Sequence, residues 1–92
     1  MKKIYKYDIS GDYLQEILMP KGAQILTAQV QAGIPRIWAL IDTDQPTEKR
    51  KFILMGTGQG IPDEITANIK YIDTFQECNG EFVWHLFEVI EQ

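Results

Sequence analysis

The sequence predicts an all-β fold: a single-domain antiparallel β-sandwich or partly closed barrel of about seven strands spanning residues 1–92. Three observations carry that expectation. Apolar and polar residues alternate with a period of two far more often than with the helical period of 3.6. Val, Ile, Thr and aromatic residues gather in short runs separated by Gly, Pro, Asn and Asp. A chain of 92 residues buries roughly 60 to 65% of the surface its unfolded form exposes, enough for one core and not for two.

Taken in chain order, the alternation places strands at residues 3–9, 15–19, 24–31, 36–42, 49–55, 69–77 and 82–90. A helix over residues 12–19, capped by Asp12 and carrying Leu14, Ile17 and Leu18, competes with the second strand, but Pro20 would end it after two turns. Ala32-Gly33 is the expected turn between the third and fourth strands, facing Gln29 with Arg36, Thr27 with Trp38, Leu26 with Ala39 and Ile25 with Leu40. That register puts Leu26, Ala28, Val30, Ile37, Ala39 and Ile41 on one aliphatic face, joined in the core by Phe52 and Leu54. Residues 42–47 read as a hairpin loop into the basic run Lys49-Arg50-Lys51.

Asn79-Gly80 is the clearest turn, because a type I′ loop needs positive φ at both central residues. It faces Gln76 with Val83, Phe75 with Trp84, Thr74 with His85 and Ile72 with Phe87. Tyr71, Asp73, Phe75, Phe82, Trp84 and Leu86 then share one face, and Ile72, Thr74, Gln76, Val83, His85, Phe87 and Val89 the other. Both faces are greasy, so both need cover. A homo-oligomer built on Tyr71, Phe75, Phe82 and Trp84 is one solution, and a loop near residues 56–67 folded over the face is the other.

Composition narrows the function classes. The hydrophobic share of 45% excludes disorder, and no apolar run approaches the ~20 residues of a spanning helix, so no membrane association is expected. Lys2 and Lys3 are followed by no apolar stretch of the kind a signal peptide carries. One cysteine, Cys78, leaves neither an internal disulfide nor a thiolate metal cluster, and a reducing cytoplasm is the expected compartment. A net charge of −4 argues against general nucleic-acid binding.

Few segments offer chemistry. Gly56-Thr57-Gly58-Gln59-Gly60-Ile61-Pro62 is glycine-dense enough to form an anion nest, but it has no following Lys-Ser/Thr, and Pro62 stands where a helix would start. A wide loop leaving a strand is the simpler reading. His85, the single histidine, is expected beside Thr74 and Gln76 instead of an activatable nucleophile, so no catalytic residue is assigned. The acids Asp63, Glu64, Asp73, Glu77, Glu88 and Glu91 show no metal-ligand spacing; neither metal nor cofactor is expected. Lys49-Arg50-Lys51 can hold a small phosphorylated ligand if Arg50 points inward beside Arg36; otherwise these are edge-strand charges that deter pairing. The best candidate ligand site is the mixed face of the Ala32-Gly33 hairpin, with Trp38 as stacking platform, Arg36 as anion partner and Thr27 and Gln29 as hydrogen-bonding groups. Gly56, Thr57 and Gly58 would add backbone donors if the 49–55 strand pairs beside the 36–42 strand.

The segments Met19-Pro20-Lys21-Gly22-Ala23-Gln24-Ile25-Leu26, Trp38-Ala39-Leu40-Ile41-Asp42, Gly56-Thr57-Gly58 with Ile61-Pro62, and Val83-Trp84-His85-Leu86-Phe87-Glu88 resemble a family of small uncharacterised proteins of bacteriophages and bacterial genomes. The likeness runs through nearly the full chain. Members often carry His-Pro where this chain has Gln59-Gly60, so no histidine role transfers to that loop. The resemblance implies a non-enzymatic accessory protein, such as a counter-defence factor that sequesters a nucleotide-like signal or a host defence component, with a virion structural or assembly protein as the alternative.

Overall fold

The computed structural model describes residues 1–90. Seven strands, β1 (Lys2–Asp8), β2 (Leu14–Pro20), β3 (Gln24–Gln31), β4 (Ile34–Asp42), β5 (Thr47–Gly56), β6 (Ile69–Glu77) and β7 (Phe82–Val89), are joined by one helical turn, α1 (Asp63–Thr66). They form a three-stranded sheet of order β1-β4-β3 and a four-stranded sheet of order β2-β5-β7-β6. Every pairing is antiparallel. The two sheets pack as a sandwich and do not close into a barrel.

All seven expected strands are present, with ends displaced by at most two residues. Over residues 12–19 the strand prevails over the helix: Gln15, Ile17 and Met19 are buried or half-buried while Leu14, Glu16 and Leu18 between them are exposed, a period of two that no helix produces. Both expected turns form. Ala32 and Gly33 have φ of 51° and 80°, and Asn79 and Gly80 have φ of 56° and 88°, the positive values that let the turn follow the strand twist. The 42–47 segment is not a hairpin loop: it carries the chain from the three-stranded sheet to the four-stranded one.

Two bulges correct the expected registers. Between Ile25 and Thr27 the ladder shifts, so Ile25 faces Ala39 and Gln24 faces Leu40. Leu26 is the extra residue; it leaves the core and is 45% exposed. Between Tyr71 and Asp73 the same happens, and Tyr71 faces Phe87 in place of Ile72. Tyr71 therefore turns to the outer face, edge-on to Phe87 at 5.8 Å, and Ile72 packs against the core. The aromatic set Tyr71, Phe75, Phe82 and Trp84 is thus not one surface, since Phe75 is buried beneath the other sheet and Trp84 packs against the same core.

The core lies between the sheets. Ala28, Ile37, Ala39 and Ile41 meet Phe52, Leu54, Phe75 and Leu86, with Ile9, Met19 and Ala23 closing the ends. Val30 packs against it as a partly buried member. In β5, Ile53 and Met55 point away from the other sheet and are still only 4% and 2% exposed. Their cover comes from the 57–68 segment: Ile65 and Asn68 share a cleft wall with Ile53, and Thr57 bonds to His85 on that face. A loop covering an apolar outer face was one of the two solutions the sequence left open, and it operates over the face opposite to the one expected.

Side chains join the sheets where β3 runs beside β6, an edge with no main-chain ladder between them. Asp73 Oδ2 accepts hydrogen bonds from Thr27 Oγ1 at 2.6 Å and from the Ala28 amide at 3.1 Å. Its Oδ1 accepts from the Thr74 amide at 2.9 Å. Burial pushes the Asp73 carboxyl pKa up, but the bonds from Thr27, Ala28 and Thr74 outweigh it and hold the pKa below the ordinary carboxylate value. Further along the seam Arg50 forms a two-point pair with the Glu88 carboxylate, and its Nη1 donates to the Ala23 carbonyl at 2.8 Å.

Replacing Asp73 by Ala leaves the Ala28 amide without its acceptor, and the expected cost is about 1 to 3 kcal/mol at neutral pH. Because the folded-state pKa is depressed, the wild-type contribution is complete above the unfolded value of ~3.9 and is lost as pH falls through the folded value. Urea unfolding of both proteins at pH 7 and in the acid range checks this: the stability gap between them should shrink on acidification.

Candidate functional site

The hairpin face singled out from sequence is assembled by β1, β4 and β3 together. Its rungs are Asp8, Arg36 and Gln29 in one row and Lys6, Trp38 and Thr27 in the next. Arg36 Nε lies 3.1 Å from Asp8 Oδ1, off the line of a hydrogen bond, and its Nη1 donates to Gln31 Oε1 at 2.6 Å. Lys6 Nζ donates to the same Gln31 oxygen at 3.2 Å. The Arg36 side chain is 15% exposed, so it is held in place by neighbours instead of standing free. Trp38 is half-buried, and Gln29 is exposed.

Thr27 does not serve this face as expected. Thr27 keeps the expected rung opposite Trp38, but its hydroxyl is committed to Asp73 across the seam. Arg36, Trp38 and Gln29 remain as the assembled set, with Lys6 as a cation that sequence reasoning did not include. Lys6 is found only once β1 is known to pair with β4, a contact of residues more than thirty positions apart that alternation alone does not specify.

Gly56, Thr57 and Gly58 lie elsewhere. β5 pairs with β2 and β7 and not with β4, so the condition for their joining the Trp38 face fails. The loop is also turned in on itself: the Gly56 amide donates to Gln59 Oε1 at 3.1 Å, the Thr57 amide to the Val83 carbonyl at 3.3 Å, and the Gln59 amide to the Gly56 carbonyl at 3.1 Å. Amides so used do not form an anion nest. Arg50 likewise lies in the four-stranded sheet and not beside Arg36.

What the loop does hold is His85. Thr57 Oγ1 lies 2.7 Å from His85 Nε2, Thr74 Oγ1 lies 3.0 Å from Nδ1, and the Tyr71 hydroxyl is 2.7 Å from Thr74 Oγ1. Facing Thr74 with His85 was legible from the Asn79-Gly80 register; Thr57 and Tyr71 were not, since one depends on the β5 to β7 pairing and the other on the bulge. A hydroxyl within reach of an imidazole has the geometry of a nucleophile and its base. Here, however, the second ring nitrogen meets another hydroxyl and not the carboxylate that would stabilise an imidazolium. Each hydroxyl can donate or accept, so the arrangement fits a ring pinned in place on the sheet.

A cleft of about 480 Å³ opens at the other end of the four-stranded sheet, lined by Glu48, Lys49, Arg50, Lys51, Lys70 and Glu88 among others. Four cations against two anions make this end positive on a chain of net charge −4. All three nitrogens of the Arg50 guanidinium are already engaged: the hydrogen bonds it donates to Glu88 are the main cause that raises its pKa, against the opposing effect of burial. Glu91, which the sequence places at the end of the last strand, lies outside the described residues. Among the described residues no three His, Cys, Asp or Glu side chains cluster as metal ligands. No described helix is long and apolar enough to cross a membrane.

An antiparallel sandwich with a flat aromatic and cationic face defines a class of small β domain without assigning it a task. The chain belongs to the family described as Domain of unknown function (DUF7352), whose model matches residues 1–92. No curated protein and no solved structure matches it.

Truncating Arg50 to Ala leaves Glu88 almost buried without its partner and frees the Ala23 carbonyl, so a loss of about 3 kcal/mol or more is expected. Replacing Lys49, which is 72% exposed beside Glu16, should change stability by no more than about 0.5 kcal/mol. Chemical denaturation of the two variants side by side separates the structural cation from the solvated one.

Proposed function

We propose that this protein acts by binding and not by turnover, as a phage-type accessory factor that sequesters a host defence component or a small nucleotide-like signal. The observation that supports this reading is the face shared by Arg36, Trp38 and Gln29, bordered by Lys6. An indole set among pre-positioned cations suits a flat, anionic partner group, either a nucleobase phosphate or an acidic protein surface. Arg36 is fixed by Asp8 and Gln31 before any partner arrives, which lowers the ordering cost of binding.

A virion structural or assembly role is the second reading, and a different surface favours it. Leu14, Ile53, Phe87 and Tyr71 form one apolar row across all four strands of the outer face, with Leu14 and Tyr71 more than half exposed at its ends. The exposed ends of this row, on either side of the covered Ile53, suit contacts with other protein subunits.

Native mass spectrometry of the protein recovered from defence-active cells tests the binding reading. A co-purifying small mass or host protein is expected from the wild type. Trp38→Ala and Arg36→Ala are each expected to weaken its retention at least about tenfold, or about 1.4 kcal/mol, with little change in thermal stability. If Trp38→Ala instead costs the ~3 to 5 kcal/mol of a buried indole and Arg36→Ala retains the partner, the face is structural and the reading fails.

A further inference from the structure

The outer strand of the three-stranded sheet carries an inference that is independent of the binding reading. β1 is an edge strand, exposed at residues 2–6, and its pairing with β4 fixes which backbone groups are free. The Ile9 amide donates to the Pro35 carbonyl and the Thr43 amide donates to the Met1 carbonyl, both at 2.9 Å. In an antiparallel ladder the N–H and C=O of one residue point to the same side, and successive residues alternate. The odd-numbered residues from 1 to 9 therefore turn their backbone groups to β4. Lys2, Ile4, Lys6 and Asp8 turn theirs to the open edge.

We infer that this edge pairs with β1 of a second copy of the chain, antiparallel and centred on Tyr5, to make a continuous six-stranded sheet. Two-fold pairing must set even-numbered residues against even-numbered ones, since only these have free groups to exchange. Centred on Ile4, such a pairing sets Lys2 against Lys6; centred on Lys6, it sets Lys6 against itself. Like charges directly opposite are destabilising. Centred on Tyr5, it sets Lys2 against Asp8 of the second copy at both ends and Ile4 against Lys6, so charge complementarity selects one register of the three. Asp8 is 71% exposed and keeps carboxylate surface for this contact beside Arg36.

The odd-numbered side chains agree with that register. Tyr5, 43% exposed, faces Tyr5 of the second copy in a wide, non-hydrogen-bonded pair where side chains approach most closely, and Lys3 faces Tyr7. The lysines of β1 are the usual means by which an edge strand rejects foreign partners. Here they reject the pairings centred on Ile4 and Lys6; the pairing centred on Tyr7, which sets Lys6 against Asp8, overlaps only residues 6–8, whereas the one in which Asp8 answers Lys2 uses the whole strand. The assembled sheet carries both Trp38 side chains on one face, because Trp38 shares its rung with Lys6.

Sedimentation at tens to hundreds of micromolar tests the pairing, with the expected result a monomer–dimer equilibrium that weakens as salt rises. Ile4→Pro removes only an N–H directed to the open edge, so it should leave the circular dichroism spectrum unchanged and weaken the dimer at least tenfold. Lys2→Asp should also weaken it, and Lys2→Asp with Asp8→Lys should restore it, because the swap preserves both ion pairs. With Cys78→Ser as background, Tyr5→Cys should form an intermolecular disulfide on mild oxidation and Lys3→Cys should not, which reads the register directly. A strict monomer at hundreds of micromolar, or a dimer indifferent to Ile4→Pro, overturns the inference. So does hydrogen exchange in which the amides of Ile4 and Lys6 become protected only when a foreign chain is bound.

Discussion

The Asp73 carboxylate stands where a strand ladder is missing. β3 and β6 run side by side at the margins of two different sheets, and no main-chain pairing joins them, so the sandwich on this side is held by packing and by side chains. One carboxylate takes three donors there, two from β3 and one from its own strand. All of them lie on the turn side of the two bulges, where the registers run as the Ala32-Gly33 and Asn79-Gly80 turns set them: Thr27 opposite Trp38, Ala28 opposite Ile37 and Asp73 opposite Leu86. Beyond these residues each bulge ejects one apolar side chain from the expected face, Leu26 and Tyr71, and so shapes the exposed surface.

Arg50 and Glu88 repeat the device at the next position along the seam, with the opposite arrangement of charge. There a cation reaches across to a carbonyl on the β2 to β3 connection while a carboxylate neutralises it. Both polar clusters are satisfied atom by atom, as a low-dielectric location requires. The interior between them is aliphatic and aromatic, and the indole N–H of Trp84, which packs against it, is buried without a hydrogen-bond partner.

The fold was legible in the sequence where its determinants were local. Alternation located all seven strands, and two dipeptides with positive φ set two hairpin registers near their tips. The registers failed farther from the turns, at Leu26 and Tyr71, because a bulge leaves no mark in a period-two pattern beyond one apolar residue out of step. Non-local pairing was the larger gap. The 42–47 segment has the turn residues of a hairpin loop, yet it crosses between sheets, and nothing in those six residues distinguishes the two.

The site was partly legible for the same reason. Arg36, Trp38 and Gln29 belong to one hairpin whose turn could be read, and they do share a face; Thr27 takes its expected place opposite Trp38, but its hydroxyl is bonded to Asp73 of the other sheet. The glycine loop was assigned to that face through a strand order that the chain does not adopt, and with β5 flanked by β2 and β7 its amides close a turn instead of facing a ligand. Strand order also divides the surface. The three-stranded sheet has a polar outer face around one indole and an edge with free backbone groups, while the four-stranded sheet has an apolar outer face roofed by the 57–68 segment. The binding proposed above therefore falls to the first sheet, where Arg36 and Lys6 border Trp38. The second sheet's outer chemistry is suited to packing, because both ring nitrogens of its histidine are already engaged by hydroxyls of its own chain.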